Sequence, residues 1–165
     1  MNIHEAIATR RTIKDFKPDP VPTDLLNRAL DAGTWAQNHR LTEPWRFTII
    51  GPATRPAVSA LLPKTASKPT VVVVSFVLSD GAGQEREDHE ATACAVQNVA
   101  LTAWELGLGM QWNSGPPTML PQAYALFQID PAAEQIIGLL YFGFPATIPD
   151  PKPRKPISEI SRHLP

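Results

Sequence analysis

The run TVVVVSFVL, residues 70–78, is apolar at every alternating position, so a strand built from it has two faces to bury. A sheet with one wet face would show polar residues at every second position. This run instead demands cover above and below, which marks it as a central strand between layers of helix. Suitable cover is present: EREDHEATACAVQNVALTAWEL, residues 85–106, reads as one long helix, with acidic residues in the first turn where the helix dipole favours them. Gly107 and Gly109 stop it. Ala91, Ala95, Val99 and Ala103 fall on one side, and Cys94, Val96, Leu101 and Trp104 carry the apolar surface around much of the circumference, so more than one neighbour should bury it.

The remaining elements follow from caps, periodicity and breakers. Asn2 caps a first helix, with Glu5 completing an approximate capping box and Ile3, Ala6 and Ile7 forming the apolar stripe up to about Arg10. Thr23 reads as the N-cap of a second helix that buries Leu25, Leu26, Ala29 and Leu30 and ends near Gly33. Residues 37–42 read as loop, 45–50 as a strand closed by Gly51-Pro52, and 54–62 as a short helix. A short strand over 109–112, a helix over 118–127 and a strand over 135–142 complete the pattern. The 18 prolines cluster at 18–22, 116–121 and 145–156, where they interrupt helices and central strands and so mark connections and an extended basic tail. No repeat or boundary divides the chain, which reads as one domain over residues 1–165. Helix-covered α+β and doubly wound α/β sheets both fit this order of elements.

Composition narrows the functional classes. The 15 Lys and Arg against 16 Asp and Glu leave a net charge of −1, so there is no global field for nucleic acid and any anion site must be local. Cys94 is the only cysteine; it sits among Ala93, Ala95 and Val96, reads as a core thiol, and His89 five residues away on the same helix makes a poor base for it. The four histidines lack the spacing of a zinc site, so no metal is expected. No G-x-G-x-x-G follows a strand, and no G-x-S-x-G surrounds Ser114. The N-terminus lacks a signal-peptide core and no apolar run is long enough to span a bilayer, which points to the cytoplasm and no membrane.

The most pointed chemistry lies in RRTIKDF, residues 10–16, where three cations and a hydroxyl fall within five residues. A phosphate dianion needs such a cluster when net charge supplies no attraction. Basic residues closing a first helix also complement its dipole, and spacing alone leaves both readings open.

This segment resembles the RxSxKxF opening of the FMN-dependent nitroreductase family. WAQNHRLTEPWRF, residues 35–47, resembles the family's loop and strand ending in Gln-Pro-Trp, with closest similarity to its compact short-chain members. ELGLGMQWNSG, residues 105–115, resembles the end of its central helix, and LLYFGFPA with KPRKPISEI resembles its last strand and phosphate-binding tail. The likeness spans the chain in order.

The resemblance implies a three-layer α/β/α sandwich with a mostly antiparallel sheet and a long central helix that dimerises. It implies FMN as cofactor, its phosphate and ribityl chain held by Arg10, Arg11, Thr12, Lys14, Lys152 and Arg154. It implies that Trp35, Asn38 and His39 reach the flavin across a homodimer interface, and that Trp112, Asn113 and Ser114 lie along the ring. NAD(P)H would act as transient donor, and a nitroaromatic, quinone or similar small acceptor would follow it into one pocket by ping-pong chemistry, with no catalytic residue beyond the flavin. The rival is an FMN-binding module without turnover. Thr12 where Ser is usual, Glu43 where Gln is usual, and the lack of a covering insertion leave the acceptor and the NADH or NADPH preference open.

Overall fold

The computed structural model describes residues 1–164, apart from the side chains of Pro116 and Pro117. Strands β1 (Trp45–Ile49), β2 (Thr70–Val77), β3 (Gly109–Asn113) and β4 (Glu134–Gly143) form one sheet in the order β1-β2-β4-β3, and every neighbouring pair is antiparallel. A doubly wound sheet would be parallel, so the α+β alternative holds.

The two-sided strand explains the layers. Val72, Val74 and Phe76 of β2 point into a core with Leu26, Ala29, Val96, Val99 and Ala103, contributed by helices α2 (Thr23–Thr34) and α4 (Ala82–Glu105). Val71 and Val73 point the other way, against Val58, Ala123 and Phe127 of helices α3 (Arg55–Leu61) and α5 (Pro121–Phe127). The result is helix, sheet, helix. Helix α1 (Ile3–Thr9) precedes this sandwich, and the short α6 (Ile157–Ile160) lies in the tail. Asn2 caps α1 as expected, its side chain accepting from the Glu5 N–H.

Four expectations change. Thr23 is the first residue of α2 and not its cap: Pro22 holds the cap position without a side-chain bond, and its carbonyl accepts from the Leu26 N–H at 3.1 Å. The helix expected over 118–127 is two pieces, a 3-10 turn at Pro116–Met119 and α5, because Leu120 before Pro121 is driven into the extended region (φ −68°, ψ 148°). Helix α4 is not buried all round; Arg86, Glu90 and Gln97 are exposed, with Ala93 and Leu101 half-buried beside them on the same face. Cys94 is half-buried at the edge of a cluster formed by Ala36, Trp45, Ala91 and Ala95, rather than a core thiol.

The basic segment after α1 runs along the sheet edge. Its Thr12 forms a parallel bridge with Met110, the Ile13 N–H donates to the Met110 carbonyl at 3.1 Å, and the Ile13 side chain is fully buried. Only glycine permits this approach at position 109, since a Cβ there would stand 2.7 Å from Ile13 Cβ. Farther on, Phe16 bridges Pro145 and the Ala146 N–H donates to the Asp15 carbonyl at 3.0 Å, which draws the chain after β4 alongside the N-terminal segment.

Candidate functional site

That pairing of the two chain ends creates a cavity of about 740 Å³. Arg10, Arg11, Thr12 and Lys14 line it from one side, and Lys152 and Arg154 from the other. With Ile13 buried, Thr12 and Lys14 are the neighbours left to face outward. Arg11 is braced by donating through Nη1 to the carbonyls of Ala8 at 2.8 Å and Arg10 at 2.9 Å.

The electrostatics favour an anion. Burial first, and then the like charges of Arg11 and Arg154, hold the Arg10 guanidinium below its usual pKa, although an arginine stays charged at neutral pH. Among the described residues the ion pairs are Arg86–Glu90 at 2.8 Å and the exposed His39–Glu87 at 3.9 Å, and neither uses a cavity cation. Asp15 and Asp150 also line the cavity, so two carboxylates stand against five cations and the balance is positive.

A smaller recess of about 160 Å³ shares Arg10 and Thr12 with the cavity and is walled by Val96, Ala100, Met110 and Trp112, with Gln97 at its side. Trp112 keeps its orientation by donating Nε1 to the Ile137 carbonyl at 3.2 Å. Gly138 makes room for it: at φ +149°, a Cβ would stand 2.6 Å from that indole nitrogen. Strand alternation sends the next side chain to the opposite face, where Asn113 Nδ2 donates to the Tyr141 hydroxyl at 2.8 Å. Ser114 is exposed just beyond β3.

The loop after α2 stands apart from both spaces within one chain. Trp35 is 82% exposed and Leu41 80%. Asn38 organises the loop itself, its Oδ1 accepting from the Glu43 N–H at 3.0 Å and its Nδ2 donating to the Ala36 carbonyl at 3.1 Å. His39 faces Glu87 across the solvent-exposed start of α4. Arg40, Leu41 and Glu43 all take positive φ (57°, 53° and 44°), a local strain held in place by Thr42, whose hydroxyl donates to the buried Asp88 carboxylate at 2.8 Å.

The structure therefore gathers Arg10, Arg11, Thr12, Lys14, Lys152 and Arg154, sets Trp112 beside them, and leaves Trp35, Asn38, His39, Asn113 and Ser114 outside these two spaces. Sequence reasoning missed Asp15 and Asp150, which were hidden inside basic segments. It also missed Gln97, although its spacing of four from Ala93 and three from Ala100 puts all three on one helical face.

Comparison with known proteins agrees with this architecture. The model of the nitroreductase family matches residues 7–73 and 60–144. YfhC of Bacillus subtilis, provisionally named an NAD(P)H nitroreductase, is 30% identical across 95% of this chain and 91% of its own length. A nitroreductase-like family protein from Bacillus cereus superposes with a TM-score of 0.91 at 30% identity, covering 99% of this chain and 96% of that one. A protein from Desulfovibrio desulfuricans, provisionally named a nitroreductase and solved in complex with FMN, superposes with a TM-score of 0.82 at 26% identity over 100% and 98% of the two chains. With the family model reaching from α1 to the end of β4 and relatives aligned over nearly their whole length, this chain belongs to the nitroreductase family and has its α+β fold.

Proposed function

We propose that the chain, acting as one unit, binds FMN and works as an NAD(P)H-dependent flavin oxidoreductase that reduces nitroaromatics, quinones or similar small oxidised acceptors by a ping-pong mechanism. The observation that carries this reading is the cavity in which cations from both chain ends converge without a carboxylate ion pair among the described residues. A flavin phosphate carries nearly two negative charges and fits that need. Arg10 and Arg154 offer guanidinium forks, Lys14 and Lys152 point charges, and Thr12 a hydroxyl. The adjoining apolar wall of Val96, Ala100, Met110 and Trp112 suits a flat ring. Since the Asn113 amide is engaged by Tyr141, the backbone of residues 112–114 and the Ser114 hydroxyl are left to meet polar ring edges.

Bound FMN would supply the redox chemistry, taking two electrons from NAD(P)H and passing them to the acceptor. The protein's own groups bind, orient and shield it. The recess of about 160 Å³ is smaller than the several hundred Å³ usual for ligand pockets, so a second wall is needed. We assign that wall to a second copy of the chain. The outward face of α4 and the exposed Trp35 and Leu41 are available for such contact, and Trp35, Asn38 and His39 would reach the flavin from the partner. No described helix is long and apolar enough to cross a membrane, and a single thiol suits a reducing cytoplasm.

The test is direct. Purified protein should be yellow or take up FMN, bleach with NADH or NADPH in the absence of oxygen, and regain colour with a nitroaromatic or quinone. Colour without bleaching would favour the module that binds flavin without turnover, and failure to take up FMN would refute both readings.

A further inference from the structure

Outside the cavity lining, one cation is tied to it from behind. Lys68 lies just before β2, in a turn fastened to α3 by Arg55, whose Nη2 donates to the carbonyls of Thr65 and Lys68. From this fixed base the Lys68 Nζ donates to the Lys14 carbonyl at 2.6 Å. It also sits over two aromatic faces, 5.2 Å from the Phe16 ring centre and 5.7 Å from that of Tyr141, which restricts where the ammonium can go. Burial holds the Lys68 ammonium below its ordinary pKa, an effect that the nearby Asp15 carboxylate partly offsets. Asp15 is one of the two carboxylates in the cavity lining, where it opposes any anion.

We propose that Lys68 is a positioning residue of the anion cavity: it fixes the main chain at Lys14 and offsets the charge of Asp15, raising the preference for a phosphorylated over an unphosphorylated flavin. This rests on the FMN reading above. The main chain of the cation-bearing segment is tied to β3 at Ile13 and to the post-β4 chain at Asp15, and between them the Lys14 carbonyl is held by a side chain, that of Lys68. Losing Lys68 frees the Lys14 carbonyl and takes a positive charge away from the neighbourhood of Asp15. Both effects act on a phosphate, and the charge effect has nothing to act on in riboflavin.

The experiment measures FMN and riboflavin dissociation constants, by quenching of flavin fluorescence, for the wild type, Lys68→Met, Lys68→Arg and the double variant Lys68→Met with Asp15→Asn, each checked for a normal melting curve. Lys68→Met should weaken FMN about fivefold, the scale of a part-exposed charge pair plus one hydrogen bond, and change riboflavin less than about twofold. Lys68→Arg should restore most of the FMN affinity, and Asp15→Asn should recover much of the loss in the Lys68→Met background. An unchanged FMN constant, equal losses for FMN and riboflavin, or no recovery with Asp15→Asn overturns the proposal while leaving the FMN reading intact. A wild type that binds no FMN overturns both.

Discussion

Arg154 is the cleanest place to separate folding from flavin retention, because it reaches the cavity from an exposed tail and adds to the like charge around Arg10. In Arg154→Ala a charge-assisted bond to phosphate is lost, a term of about 1.5–3 kcal/mol, which corresponds to roughly 10- to 150-fold weaker binding. The flavin-free protein should not suffer. Removing an exposed side chain costs little, and it relieves the Arg10 guanidinium of one repelling neighbour, so stability should stay within about 0.5 kcal/mol of wild type or rise slightly. The two effects then diverge in a thermal melt. At FMN one hundred times the wild-type dissociation constant, linkage stabilises the wild type by about 2.7 kcal/mol. A variant binding about thirtyfold more weakly gains only about 0.9 kcal/mol at the same concentration. For a chain of this size the FMN-induced rise in Tm should therefore be smaller by about 4–7 °C, with the flavin-free Tm unchanged or higher. Melting curves with and without FMN, beside a fluorescence titration, read both quantities. An Arg154→Ala protein that keeps the full FMN-induced shift, or that melts markedly lower without flavin, would refute the assignment of this residue to an anion clamp.

Two further outcomes test the frame around the site. Gly109→Ala places a Cβ against Ile13 and should destabilise the protein by about 1–3 kcal/mol; an unchanged denaturation midpoint would show that the close approach is not needed. Tyr141 is held above its ordinary pKa of 10.0, chiefly by burial and against the Asn113 hydrogen bond, so its contribution to stability is complete below that pH and is lost as pH rises through the folded value. Tyr141→Phe should cost about 1 kcal/mol at neutral pH by leaving the Asn113 amide unpaired, and the gap to wild type should narrow as pH rises past 10.0 and through the folded value. Urea midpoints measured from neutral pH upward check it, and a gap that stays constant counts against the burial of a neutral phenol.

Where a stretch carried its own reason, the sequence alone was enough to read it. Residues 70–78 announced a strand with two buried faces, and Val71 and Val73 do enter one core while Val72 and Val74 enter the other. Asn2 caps α1 by a bond spanning three residues, a purely local event. The resemblance of two separate motifs, residues 10–16 and the tail, assigned Arg10, Arg11, Lys14, Lys152 and Arg154 to one phosphate, and these five cations line one cavity. Helix starts and breaks were less secure, since Pro22 and Pro121 shift boundaries through main-chain geometry that periodicity does not express.

Other features exist only after folding, because they join residues distant in the chain. The choice of an antiparallel sheet over a doubly wound one depended on pairing directions that the order of elements does not encode. The face occupied by Asn113 depended on the register of β3 against β4, which turned its amide to Tyr141 while Trp112 entered the recess. The meeting of Arg10 with Arg154, the hold of Asp88 on Thr42 and that of Lys68 on Lys14 each span tens of residues or more. Residue types can supply a phosphate clamp with its charges, but only the packing of Ile13 onto Gly109 and of the post-β4 chain onto Asp15 brings those charges close enough to act together.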